Sequence, residues 1–274
     1  MKGSTKKFLF IVLSLTLVSV AYFLASQLLM LPGSQFATAL GKDVLFIGLI
    51  CVLSVLFVQF LEGGERGFQA TAFVGGVPFF LVLAVFFFFV YYPNVSTLFK
   101  VIAGVLYALL LYTLLLLNNV LLVVKSREDI IPVYRVTGSW VQIVLLSISV
   151  PLFIGVHRLP VQPLLQSLLV ALLSWFFFLY LIWVYSYEKE IKQLNAVGSL
   201  LLASTCAFLT AWASFATLFF PGETYLRGLF IASVFLLGLG YIQLFLKNAL
   251  SRRGLWDYLL ICLFFFGILV AFKP

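Results

Sequence analysis

Catalysis and metal binding need titratable, nucleophilic or ligating side chains, and this chain has few. It holds one histidine, His157, three cysteines, Cys51, Cys206 and Cys262, and nine acidic residues in a length of 274. His157 stands beside Arg158, with no serine or cysteine in a motif around it and no second ligand at metal-binding spacing. It therefore completes neither a nucleophilic triad nor a zinc site and reads as an interfacial residue at a helix end. The cysteines are odd in number and lie in apolar stretches, which fits packing better than a disulfide framework. Asp43 has no second carboxylate near it for acid–base work. Gly63 and Gly64 lack the spacing and the Lys-Ser/Thr pair of a phosphate loop. No catalytic residue, metal ligand or cofactor site is assigned, and the chain is expected not to be an enzyme.

The elements that must position these residues follow from composition. Hydrophobic residues make up 64% of the chain and charged residues 9%, against about 45–50% and about 25% in soluble domains. Lipid is the solvent that such a surface requires. Membrane strands would show alternating polarity, whereas the apolar runs here are long and unbroken. Nine are read: Phe8 to Leu31, Val44 to Leu61, Ala70 to Tyr92, Leu98 to Val124, Trp140 to Val156, Pro163 to Tyr185, Ala196 to Phe220, Thr224 to Leu246 and Trp256 to Phe272. The expected fold class is an all-α integral membrane protein, a polytopic bundle forming a single transmembrane domain over 1–274. Connections of at most about 15 residues leave no room for a soluble domain.

Basic residues orient the spans. With the N-terminus in the cytoplasm, the outer connections hold Lys42, Lys100, Arg158, Arg227 and Lys273, and the inner ones hold the other twelve of the 17 Lys and Arg. That bias follows the positive-inside rule and puts the C-terminus outside. The chain is expected in a cytoplasmic membrane, its first helix an uncleaved anchor because the run from Phe8 exceeds a signal-peptide core. The connection from Lys125 to Ser139, with mixed charges and an apolar side, suits a segment in the headgroup region.

No Asp, Glu, Lys, Arg or His falls in the central third of any expected span. Ion-coupled carriers and voltage sensors hold charge at depth, so ion coupling is disfavoured. What lies deeper is neutral. Gln59, Asn118, Asn119, Gln142 and Gln243 fall toward the cytoplasmic ends of their helices, where they could line a polar cleft, with Arg127 and Arg135 at its mouth as headgroup contacts. The bland alternative is amide bonds between helices. Ser199, Ala203, Ala207 and Ala211 recur every four residues along the seventh span, a small-residue ridge that lets a neighbouring backbone come close. That helix is expected to be central. The phenylalanine runs 86–89, 176–178 and 264–266 are expected to face lipid at least in part, because residues so continuous cannot all point inward.

Two functions fit this reading. The first is a non-catalytic scaffold or helper subunit of a membrane complex, its partners being lipid and either another membrane protein or a second copy, with no nucleic acid. The alternative is a carrier or flippase for a lipid-like or neutral molecule, working through the amide cleft.

Overall fold

The computed structural model describes residues 3–30, 33–62, 68–127, 133–186, 192, 194–220 and 222–272; side chains are described there except at 3–7, 33–38, 52, 55–62, 68–71, 122–127 and 133–137. The described secondary structure is helical throughout: α1 (Gly3–Leu29), α2 (Gly33–Glu62), α3 (Phe68–Tyr91), α4 (Thr97–Arg127), α5 (Val133–His157), α6 (Pro163–Tyr185), α7 (Ala196–Thr217), α8 (Thr224–Leu246) and α9 (Arg252–Ala271). Eight of these, all but α2, contain described stretches of at least 18 residues long and apolar enough to cross a membrane. The chain is a polytopic helical membrane protein.

Several helices outrun the apolar stretches that announced them. α2 begins at Gly33, so Lys42 and Asp43 lie on its first turns rather than in a loop. α4 continues through Arg127 and α5 starts at Val133, which shortens the expected headgroup segment and puts Arg127 and Arg135 on helices. The physical reason is that hydrogen bonding along a helix does not stop where the hydrocarbon stops. Alanine, leucine and glutamine continue it into the interface, and the Ser34 to Leu40 stretch has no proline to end it. Pro78 and Pro151 lie inside continuous α3 and α5.

Turns are marked by specific chemistry. Pro163 opens α6, where a missing N–H leaves no bond unmade. The Asn195 side chain accepts a hydrogen bond from the Gly198 N–H at 2.9 Å to cap α7, and Ser251 caps α9 through the Gly254 N–H at 3.2 Å. α8 closes on Asn248, whose φ of 50° is left-handed. Its N–H donates to the Phe245 carbonyl and the Ala249 N–H to the Leu244 carbonyl, the bond pair of a Schellman ending.

The chain divides into two compact units, residues 1–122 and 123–274. In the first, α3 packs against α1 and α2. The buried stripe of α1 is Ser14, Leu17, Val18, Ala21, Ala25 and Leu28, at helical spacing, and Ala21 and Ala25 let a neighbour come close. Tyr22 meets Phe89 edge to face at 5.0 Å. Phe88 reaches Phe99 and Tyr107 of α4 at 6.3 and 5.9 Å. Neighbours therefore surround α3, and Phe86, Phe87 and Phe89 are buried rather than turned to lipid.

In the second unit α8 is the hub, touching α5, α6, α7 and α9, while α6 packs along α7. Phe235 gathers Phe153, Phe177 and Phe178 at 5.7, 5.9 and 4.9 Å, so the middle phenylalanine run is also mostly internal. Close approach depends on glycine. A Cβ at Gly238 would lie 2.6 Å from the Phe178 ring, and one at Gly228 would lie 2.3 Å from Ile154 Cγ1. α7 is not the central helix. Ala203, Cys206, Ala207, Thr210, Ser214 and Thr217 form its buried face, while Leu201, Phe208 and Trp212 on the other face are exposed.

Candidate functional site

Amides toward the end where α8 finishes do come together in part. Gln142, one turn into the apolar part of α5, donates through Nε2 to Oε1 of Gln243 near the end of α8 at 2.8 Å. The antiparallel course of the two helices puts these positions at one depth. Each amide keeps capacity for a second bond, but the pairing removes the largest cost of holding them in hydrocarbon. Asn118 is buried and Asn119 half-buried, both on α4 in the other unit. The side chains of Gln59, Arg127 and Arg135 lie outside the described residues.

The small-residue ridge is divided in its surroundings. Ala203 and Ala207 are buried, and Ala211 and Ser199 are half-buried. The Ser199 hydroxyl donates back to the Asn195 carbonyl at 3.2 Å. Ser199 also borders a small cleft with Ile182, Tyr185, Ser186, Lys192, Leu194 and Leu246. Two ammonium groups lie on aromatic faces at this end, Lys192 Nζ 4.6 Å from the Phe245 ring centre and Lys247 Nζ 5.5 Å from that of Tyr185. Such contacts hold long cations at an interface while their stems cover apolar surface.

The opposite end of the same unit holds a polar cluster that sequence spacing did not disclose. His157, the last residue of α5, is 9% exposed. Its Nε2 lies 3.0 Å from Ser214 Oγ, 57 residues further on in α7. Ser214 is fully buried, and Thr217 donates to its carbonyl at 2.7 Å, as a hydroxyl commonly does at a helix end. Gln166, in the first turn of α6, donates back to the Leu159 carbonyl at 2.9 Å and to that of His157 at 3.4 Å. It thereby satisfies carbonyls that the end of α5 leaves without helical partners. Pro160 sets up this return, because the residue before a proline is pushed out of the helical region.

Arg227 completes the cluster from the first turn of α8. Its Nη2 donates to the Phe220 carbonyl at 2.8 Å, which fixes the guanidinium over the α7–α8 turn. The Gly228 contact with Ile154 brings the start of α8 onto the last turn of α5. Two polar atoms here are buried with no hydrogen-bond partner, His157 Nδ1 and Arg227 Nε. Arg227 also sits at the positive end of a helix dipole, where a cation is poorly placed and an anion is favoured. This end of the unit presents two nitrogens without partners beside a guanidinium, and Glu223, the N-cap residue of α8 one turn before Arg227, is the acidic residue nearest them in sequence.

Among the described residues, no group of three or more His, Cys, Asp or Glu could hold a metal ion. No signal in the sequence brings His157 to Ser214; only the paths of α5 and α7 do. No protein-family model, curated protein or solved structure matches this chain.

Proposed function

We propose that this chain is a non-catalytic membrane subunit that works by assembly with another membrane protein or with a second copy of itself. The observation that carries the reading is α9. One stripe of it is attached to α8, through Tyr258 against Gly240, Cys262 Sγ 3.2 Å from the Ser233 carbonyl, and Phe266 5.5 Å from Phe230. Leu269 is its one buried residue, and Trp256, Leu260, Leu263 and Phe264 are exposed on the rest of its circumference. Lipid tails are as apolar as leucine, so helix association in a membrane draws on shape and packing contacts, and α9 makes these along one stripe only, leaving the rest of its circumference for a partner. The inner amides agree with this reading. Gln142 and Gln243 satisfy each other, as residues do that hold helices together rather than line a passage. A carrier for a neutral or lipid-like molecule remains the alternative and draws no support from that pair.

A photo-crosslinking phenylalanine analogue at Phe264, in the native membrane, tests the proposal against the same probe at Phe208 on the open face of α7. The Phe264 probe is expected to give a discrete protein adduct, whose mass tells a partner from a second copy, and the Phe208 probe to give lipid adducts. Lipid adducts alone from both positions would contradict assembly through α9.

A further inference from the structure

The cluster at the end of unit 2 where α5 finishes and α8 begins carries an inference that does not rest on the assembly reading. His157 is more than nine-tenths buried, and its Nδ1 has no hydrogen-bond partner. The Nε of Arg227 is in the same condition, although Nη2 of the same guanidinium is bonded to the Phe220 carbonyl at 2.8 Å. A buried donor or acceptor without a partner costs about 1–3 kcal/mol, more when it belongs to a charged group. The fold nevertheless keeps both in place. Gln166 ties down the end of α5, Ser214 holds Nε2 of the imidazole, and Gly228, the residue after Arg227, admits the first turns of α8 against Ile154, one turn before His157.

Depth identifies the chemistry. His157 is the last residue of one membrane span and Arg227 lies in the first turn of another, Thr224–Leu246, which is the level of lipid phosphates rather than of acyl chains. When the Ser214 hydroxyl donates to Nε2, the ring proton is on Nδ1, and the imidazole becomes a donor there. Arg227 adds Nε–H and a full positive charge at a helix N-terminus, the arrangement that favours an oxyanion.

We infer that His157 and Arg227 form a binding site for a phosphate-type oxyanion at the membrane interface, with Nδ1–H and Nε–H as its two donors and Ser214 fixing the imidazole. The same donors serve a phosphate monoester headgroup of a lipid or inorganic phosphate. The half-exposed Arg227 gives the route of entry.

His157 is the sole histidine, so the full-length chain labelled with 15N-histidine, carrying a histidine-free tag and held in phosphatidylcholine nanodiscs, reports on this site alone. Inorganic phosphate is titrated in one arm and short-chain phosphatidic acid in the other, with excess phosphatidylcholine as the control. The expected result is a saturable shift of the Nδ1 resonance in at least one of the two anionic arms. Saturation by inorganic phosphate assigns a site for the free anion, and a response to phosphatidic acid alone assigns a headgroup site. Arg227→Gln should weaken the binding at least about tenfold, as loss of a charge-assisted hydrogen bond does. Arg227→Lys keeps the charge and loses the planar donor, and should weaken it less. The wild-type titration decides the matter even where a variant does not fold. No shift in either arm, or an equal shift with added phosphatidylcholine, would overturn the site and leave a water-filled polar end to the bundle.

Discussion

Gln142 and Gln243 show how one hydrogen bond acts when lipid is the solvent. Their bond, at 2.8 Å between α5 and α8, is of a kind worth about 1 kcal/mol in membrane bundles. Removing one partner leaves the other amide unpaired, whereas removing both leaves an apolar contact. Gln142→Leu and Gln243→Leu should therefore each destabilise the protein by about 1 kcal/mol or somewhat more, and the double variant by less than their sum. Unfolding of the four proteins in mixed micelles measures this. Additive losses would mean that the two side chains do not act as a pair.

At this scale the sequence was only partly legible. Its amides were recognisable as groups needing partners, because an apolar run makes any polar residue conspicuous. Their partners were not, since a bond between residues 101 positions apart depends on how two helices align. His157 and Ser214 illustrate the same limit more sharply. Taken singly, the histidine has no sequence neighbour with which to do chemistry, and Ser214 is one of several hydroxyl residues along α7. Their juxtaposition is a property of tertiary packing alone.

Helices were the most legible level of the structure, because a span of about 30 Å demands about 20 apolar residues whatever the protein does. Their ends were less so. α2 and α5 extend into polar residues for which lipid gives no signal and helix propensity gives only a weak one. Nor did bulk predict exposure. Phe86, Phe87 and Phe89 of α3 are buried because α1 and α2 pack against it and α4 brings Phe99 and Tyr107 to Phe88, while Phe264 of α9 is exposed because α9 is packed along a single stripe.

Helix packing also makes a prediction about glycine. A Cβ at Gly228 would lie 2.3 Å from Ile154 Cγ1 and 3.3 Å from the Ile154 backbone nitrogen, so α8 cannot keep its distance from α5 with a larger residue there. Gly228→Val should destabilise by about 1–3 kcal/mol through overpacking. Gly104 in α4 has nothing within 4 Å of such a Cβ, and Gly104→Ala should be neutral or stabilising by up to about 1 kcal/mol. Thermal unfolding midpoints of the two variants compare these directly. Equal effects at both sites would argue against the close approach of α5 and α8.

For the molecule as a whole, scarcity of charge does more than select lipid as the solvent. Many of the described polar groups inside unit 2 satisfy helix carbonyls or one another, Ser174 Oγ midway along α6 being an exception, and two nitrogens without partners, His157 Nδ1 and Arg227 Nε, lie at one end. A bundle built in this way is suited to holding a shape in the membrane, with a polar anchor point at its interface and α9 open to a neighbour. The proposed assembly is open to direct measurement by extraction from the native membrane into polymer-bounded lipid discs, followed by mass measurement of the protein released from them. A stoichiometric second membrane chain, or a multiple of two or more of 30.7 kDa, is expected, and is expected to be lost when Leu260 and Phe264 are both changed to alanine. A particle containing a single 30.7 kDa chain in the native membrane would contradict it.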